Sequence, residues 1–205
     1  MLHANAQSGA TIIAIGPCTN LAVLETMRPG AFSQSSVVVM GGHFGELPES
    51  GLPQWGPAMD YNIQTDRPAA TVVFERMNPL IVPLAVTLKV CLRRLELPAL
   101  QAGGPLARLL ALQAELHCGD NKMEQLARAN TALPADILNF QYNSLACAAA
   151  LGWDCVTIEE VPLAVGSLEG ETLLNRDSAG LVYRVVTDVD AVRFSERWLE
   201  TVVQL

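Results

Sequence analysis

The sequence predicts an α/β fold: a mostly parallel, doubly wound sheet with helices on both faces, a small C-terminal β-hairpin and a closing helix. Three observations carry this. Short β-branched runs, apolar throughout, recur at Thr11–Ile15, Val37–Met40 and Leu80–Val86, as strands covered on both faces require. Helical segments separate them, giving the order strand–helix–strand–helix–strand. Half of the 205 residues are hydrophobic and 17% are charged, which suits a packed core and not a disordered chain.

The first run, Thr11 to Ile15, ends at Gly16-Pro17. Thr19 or Asn20 then caps a helix through Leu21, Val23, Leu24 and Met27, ended by Pro29-Gly30. Val37 to Met40 is a second strand, stopped by Gly41-Gly42. From His43 to Met59 the chain is rich in Gly and Pro and has no period, so it reads as a long loop of the kind that often carries function. Asp66 caps a helix with Pro68 in its first turn, running to about Met77. Leu80 to Val86 is a third strand. Beyond Val90 the pattern turns helical. Pro105–His117 carries Leu106, Leu109, Leu110 and Leu112 on or near one face, and Lys122–Ala129 follows. Asn143–Leu151 is a helix of small residues with Asn143 as its N-cap. Val156–Val165 and Leu181–Val186 read as strands around turns at Gly170 and Asp177–Gly180, a hairpin or small meander. Asp190–Val203 closes the chain as an amphipathic helix. With no repeat or linker, residues 1–205 read as a single domain. The first strand reads as an interior one, with nothing upstream to supply its neighbours or the first helix layer.

Lys and Arg number 13 against 21 Asp and Glu, a net charge of −8, and 5% of residues are aromatic. This argues against nucleic acid as a partner, since neither a basic patch nor a stacking platform is available. Cys18, Cys91, Cys118, Cys147 and Cys155 are scattered and odd in number, as reduced, mostly buried thiols of a cytoplasmic protein are. The uncharged opening has no positive n-region, and the uncharged stretch Ile137–Trp153 is interrupted by Asn139, Gln141, Asn143 and Ser144, so neither reads as a signal peptide or membrane span. Dinucleotide, P-loop, zincin and nucleophile-elbow motifs are absent, and the three histidines have no ligand spacing.

Three places could carry chemistry. The first is Pro53–Asn62, beyond the C-terminal end of a strand, where open α/β sheets bind ligands. Asp60 and Asn62 are two apart; in extended chain they face the same way and suit the vicinal hydroxyls of a sugar. Turn formation is the plainer role of both residue types. The second is Thr87, whose carbonyl could meet a hard cation such as calcium. The third is Gln141-Tyr142-Asn143-Ser144 at a helix start, where capping is the default role and ligand contact the alternative.

Gly16-Pro17-Cys18-Thr19-Asn20-Leu21-Ala22, Met40-Gly41-Gly42, Pro57–Ile63 with Asp66–Ala70, Val82–Thr87, and Val186–Asp190 with Arg193-Phe194 together resemble, in order, the motifs of the inosine–uridine-preferring nucleoside hydrolases. The resemblance implies hydrolysis of the N-glycosidic bond of a ribonucleoside, assisted by calcium that orients water and the ribose diol. By position it implies that Met40, Gln54, Asp60 (Glu in the family) and Asn62 bind substrate. It implies that Tyr142 stands on the leaving-group side, where some members have His. Calcium would meet the Thr87 carbonyl and Asn143, which replaces the family's Asp. It also implies that residue 1 lies about a third of the way along a typical member, past an acidic D-x-D-x-x-x-D-D cluster. Two neutral ligands fall well short of the six to eight oxygens calcium takes. The expected function is therefore a nucleoside hydrolase impaired or inactive as it stands, or a non-catalytic ribose-binding or interaction module on the same scaffold. The expected partners are a ribonucleoside and a second copy of the chain, with no membrane.

Overall fold

The computed structural model describes residues 1–44 and 47–205, with Leu168 as backbone only. Gly45 and Glu46 of the predicted loop lie outside the described residues. The chain opens with a short helix, α1 (Leu2–Gln7), whose Ala6 is sealed in the core. Six residues leave no readable period, so this helix is not visible in the sequence. Next come β1 (Thr11–Ala14), α2 (Thr19–Met27) and β2 (Ser36–Met40). Cys18, not Thr19 or Asn20, is the N-cap of α2; the Thr19 hydroxyl donates instead to Asp66 at 2.5 Å. After the loop come α3 (Tyr61–Gln64), α4 (Arg67–Met77) and β3 (Leu80–Val82). Asp66 caps α4 as expected, accepting from the Ala69 N–H at 3.1 Å. The predicted third strand is shorter than expected. Pro83 has no N–H to extend a ladder, and Leu84–Thr87 turn instead into a single helical turn, α5.

Then follow β4 (Cys91–Arg93), α6 (Leu97–Ala102), α7 (Pro105–Asp120), α8 (Met123–Ala129), β5 (Ile137–Phe140) and α9 (Tyr142–Ala150). The short strands β4 and β5 pair antiparallel with a register shift at Leu92/Arg93. Helix α9 begins one residue earlier than predicted, with Gln141 as its N-cap in place of Asn143. The chain ends with β6 (Val156–Leu168), β7 (Glu171–Arg176), β8 (Leu181–Val189) and α10 (Ala191–Val203), the last capped by Asp190.

The main sheet runs β1-β2-β3-β8-β6-β7. Strands β1, β2, β3 and β8 are mutually parallel; β6 pairs antiparallel with β8, and β7 antiparallel with β6. The expected C-terminal antiparallel strands are present and belong to the main sheet: β8 enters beside β3 and carries β6 and β7 with it. β1, read as an interior strand, stands at the edge of the sheet and among the described residues pairs only with β2. An apolar run reports covered faces and says nothing of which edge is open.

Two-residue alternation sorts the core. Val37, Val39, Ile81 and Val185 face α2 and α4, packing on Leu21, Ala70 and Phe74. Val38, Met40, Val82 and Val186 face the other way, against Leu145, Ala149 and Phe194 of α9 and α10. The Tyr183 hydroxyl, fully buried, donates to the Phe74 carbonyl at 2.5 Å and ties β8 to α4. A third cluster lies among α6, α7, α8, β4 and β5. Helix α7 packs through Ala107, Ala111, Ala114 and Cys118, and the leucines noted in the sequence mostly face outward. Alanine allows close approach to α6 and β5 that leucine would prevent. Among the described residues no helix is long and apolar enough to cross a membrane.

Candidate functional site

The site begins at the C-terminal end of β2. Gly41 and Gly42 have φ of +139° and +112°, in the range where a side chain is strained. A Cβ on Gly41 would stand 2.9 Å from Ile63 and 3.1 Å from the Asp60 carboxylate. The two glycines therefore let the strand end lie against Asp60. Asp60 is the N-cap of α3: Oδ2 accepts from the Gly42 N–H at 2.5 Å and Oδ1 from the Ile63 N–H at 3.3 Å. Asn62, on the first turn of α3, donates through Nδ2 to the Met40 carbonyl at 3.0 Å. These two residues stand on a helical turn, not in the extended chain the sequence suggested. Between them they clamp the end of β2 from one side.

A cavity of about 320 Å³ opens over this clamp, lined by Met40, Asp60, Asn62, Tyr142 and Asn143, with Trp55 and Leu84 among its walls. It lies beyond the C-terminal ends of β1 and β2, where an open α/β sheet offers ligand space. The structure thus brings five of the seven predicted residues together. Tyr142 and Asn143 come from the first turn of α9, which β5 aims at the end of β2. Among the described residues the Tyr142 hydroxyl, the Asn143 amide and Asn62 Oδ1 have no hydrogen-bond partner, so all three are available to a ligand. The Trp55 ring stands 5.8 Å from Phe140, and Phe140 stands 5.3 Å from Tyr142. This aromatic wall is not a feature that sequence reasoning singled out. An isolated Trp in a Gly- and Pro-rich loop was its only signal.

Gln54 and Thr87 are not part of the cavity lining. Gln54 turns into its own loop, donating to the carbonyls of Pro48, Glu49 and Leu52 at 3.2, 3.1 and 2.9 Å. Thr87 is fully buried; its hydroxyl donates to the Leu84 carbonyl at 2.6 Å and its own carbonyl accepts from the Val90 N–H at 3.3 Å. Lys89 bridges Glu49 and Asp188, the latter at 2.8 Å, and so pins the same loop to β8. Burial draws the Lys89 pKa down, but its bonds to Asp188 and Glu49 outweigh burial and hold it above the usual lysine value. A larger cavity, about 620 Å³, lies beside α10 and contains none of the predicted residues.

Burial pushes the Asp60 carboxyl up to about 6, with the Gly42 and Ile63 N–H groups opposing the rise. Its pKa is thus higher folded than unfolded, and its stabilising contribution is complete below the unfolded value and lost as pH rises through about 6. The loss is about 3 kcal/mol. Urea unfolding from pH 4 to 7 should therefore show Asp60→Asn gaining on the unsubstituted chain as pH rises. A constant difference between the two would count against a strained, buried carboxylate. Burial also raises the Tyr142 hydroxyl above the usual tyrosine value, which makes it a weaker acid at neutral pH.

Calcium, which the sequence resemblance implies, takes about six to eight oxygens at roughly 2.3–2.6 Å. The residues present do not fit it. Each Asp60 oxygen already accepts an N–H, the Thr87 carbonyl is inside a turn, and among the described residues the unpartnered oxygens of the cavity are the neutral ones of Asn62, Tyr142 and Asn143. Among the described residues no three His, Cys, Asp or Glu side chains converge on a point.

Known proteins share this architecture. The chain superposes on a purine-preferring ribonucleoside hydrolase from Gardnerella vaginalis with a TM-score of 0.74 at 20% identity, covering 98% of this chain and 64% of that one. A plant nucleoside hydrolase gives 0.69 at 20% identity, covering 94% and 61%. In sequence, a pyrimidine-specific ribonucleoside hydrolase, RihA, of Salmonella arizonae is 33% identical over 104 residues, which are 49% of this chain and 32% of the relative. The chain spans less than two thirds of the solved structures it resembles. The family model described as inosine-uridine preferring nucleoside hydrolase matches residues 1–196, and the chain belongs to that family.

Proposed function

We propose that the cavity holds a ribonucleoside by its sugar, and that these residues bind and orient the nucleoside while hydrolysing it only slowly. The observation that carries the reading is the convergence of Asn62, Tyr142 and Asn143, with unpartnered polar atoms, on one cavity above a buried carboxylate. Asn62 Oδ1 accepts from one ribose hydroxyl while its Nδ2 stays on Met40, so the amide is held in place before ligand arrives. The aromatic wall of Trp55 and Tyr142 supplies the apolar surface that a nucleobase needs.

Hydrolysis of the glycosidic bond develops positive charge on the sugar ring, and fixed negative charge nearby is what lowers that barrier. Among the described residues Asp60 is the one carboxylate lining the cavity, and its burial keeps part of it protonated near neutral pH. Membership of the family fits a metal-dependent hydrolase, yet the cavity offers too few free oxygens for calcium. Binding is therefore the activity these residues support best.

Calorimetric titration with uridine and with 2′,3′-dideoxyuridine tests this without altering the protein. Removing the diol should weaken binding about tenfold, or about 1.4 kcal/mol. Equal affinity for the two compounds, or no affinity for either, would refute sugar recognition.

A further inference from the structure

The 620 Å³ cavity beside α10 has, among the described residues, no lining residue in common with the sugar cavity, so nucleoside binding gives it no role. Its walls are mostly apolar. Leu52, Leu88, Leu133 and Val189, all buried, line it with Leu199 of α10. Leu95 and Val192 also line it and are 60% and 68% exposed, so its apolar surface reaches solvent. Size and lining suit a small molecule.

One charge in this apolar wall lacks a partner. Glu96, 6% exposed, stands immediately before α6 as its N-cap. Its Oε2 accepts from the Arg93 N–H at 2.7 Å, and among the described residues its Oε1 accepts from nothing. Burial raises its carboxyl above the ordinary glutamate value, against the opposing pull of the Arg93 N–H and guanidinium. The two cations of the lining are already engaged. Arg93 Nε donates to Asp136 at 2.8 Å, and Lys89 bridges Glu49 and Asp188. Glu196 of α10 lines the cavity too and, among the described residues, pairs with no cation. A buried carboxylate calls for a positive partner, and a cationic ligand supplies one. An acid would instead set like charge against Glu96 and Glu196, and a neutral molecule would leave Glu96 as it is. We propose that this cavity is a second binding site, for a small molecule with an apolar body and one primary ammonium group that donates to Glu96 Oε1.

Calorimetric titration with 2-phenylethylamine, 2-phenylethanol and 3-phenylpropionate tests the proposal on the unaltered chain, with three head groups on one apolar body. The amine should bind about tenfold more tightly than the alcohol, and the acid more weakly than either. Saturating uridine should leave the amine's affinity unchanged. Glu96→Gln keeps an acceptor for the Arg93 N–H, so its urea midpoint should be no lower, while amine affinity falls to that of the alcohol. Equal affinity for the three compounds, or no binding of any, overturns the proposal. So does displacement of the amine by uridine, which would place it in the sugar cavity. A preference for the amine that persists in Glu96→Gln overturns it as well, by assigning the ammonium to another carboxylate.

Discussion

Ribose release from uridine, cytidine or inosine by the purified chain is expected to be on the order of a thousandfold slower than by a RihA-type enzyme, with or without added calcium. The reason is electrostatic. A bound divalent ion contributes several kcal/mol by polarising water and neutralising charge, and each 1.4 kcal/mol or so is tenfold in rate. Among the described residues the cavity presents one carboxylate, both of whose oxygens already hold backbone N–H groups. Asn143→Asp adds a second carboxylate at its rim and should not restore activity, because two carboxylates remain far from the oxygen count calcium takes. Chelator-sensitive ribose release by the unaltered chain, measured as reducing sugar, would show that the residues described here suffice for the family's reaction.

Gly41→Val is expected to destabilise the fold by about 3 kcal/mol and to abolish nucleoside binding. A branched side chain at φ +139° is strained in itself, and its Cβ meets Ile63 at 2.9 Å and Asp60 at 3.1 Å. Asp60 would be pushed off the Gly42 N–H, leaving a buried donor without its acceptor. The clamp on β2 and the cavity above it would fail together. Urea midpoints and uridine titration on the same samples check this. A Gly41→Val chain with normal stability and normal affinity would mean that the close approach of β2 to Asp60 has no functional weight.

Much of the fold can be read from the chain because its signals are local and strong. Asp66 with Pro68 announces α4, and Gly41-Gly42 announces the end of β2. What escapes has physical reasons. The strands β4 and β5 have three and four residues and are specified by each other across a gap of some forty positions, which no local pattern encodes. The apolar run Leu80–Val86 hides a break because Pro83 removes a donor without changing hydropathy. In α7 the leucines point outward and the alanines inward, so hydrophobicity alone assigns the wrong face to the core. The site divides in the same way. Asp60, Asn62, Tyr142 and Asn143 share a cavity because strand ends gather loops. Gln54 and Thr87 are turned aside by hydrogen bonds to nearby backbone, which a motif match does not foresee.

A shortage of free anionic oxygens in the cavity sets its chemistry, and calorimetric titration of the pure chain with calcium chloride measures that shortage directly. No saturable heat is expected up to millimolar ion, and nucleoside binding should be the same with chelator present. A one-to-one isotherm of micromolar or tighter affinity, abolished by Asn143→Ala, would contradict it.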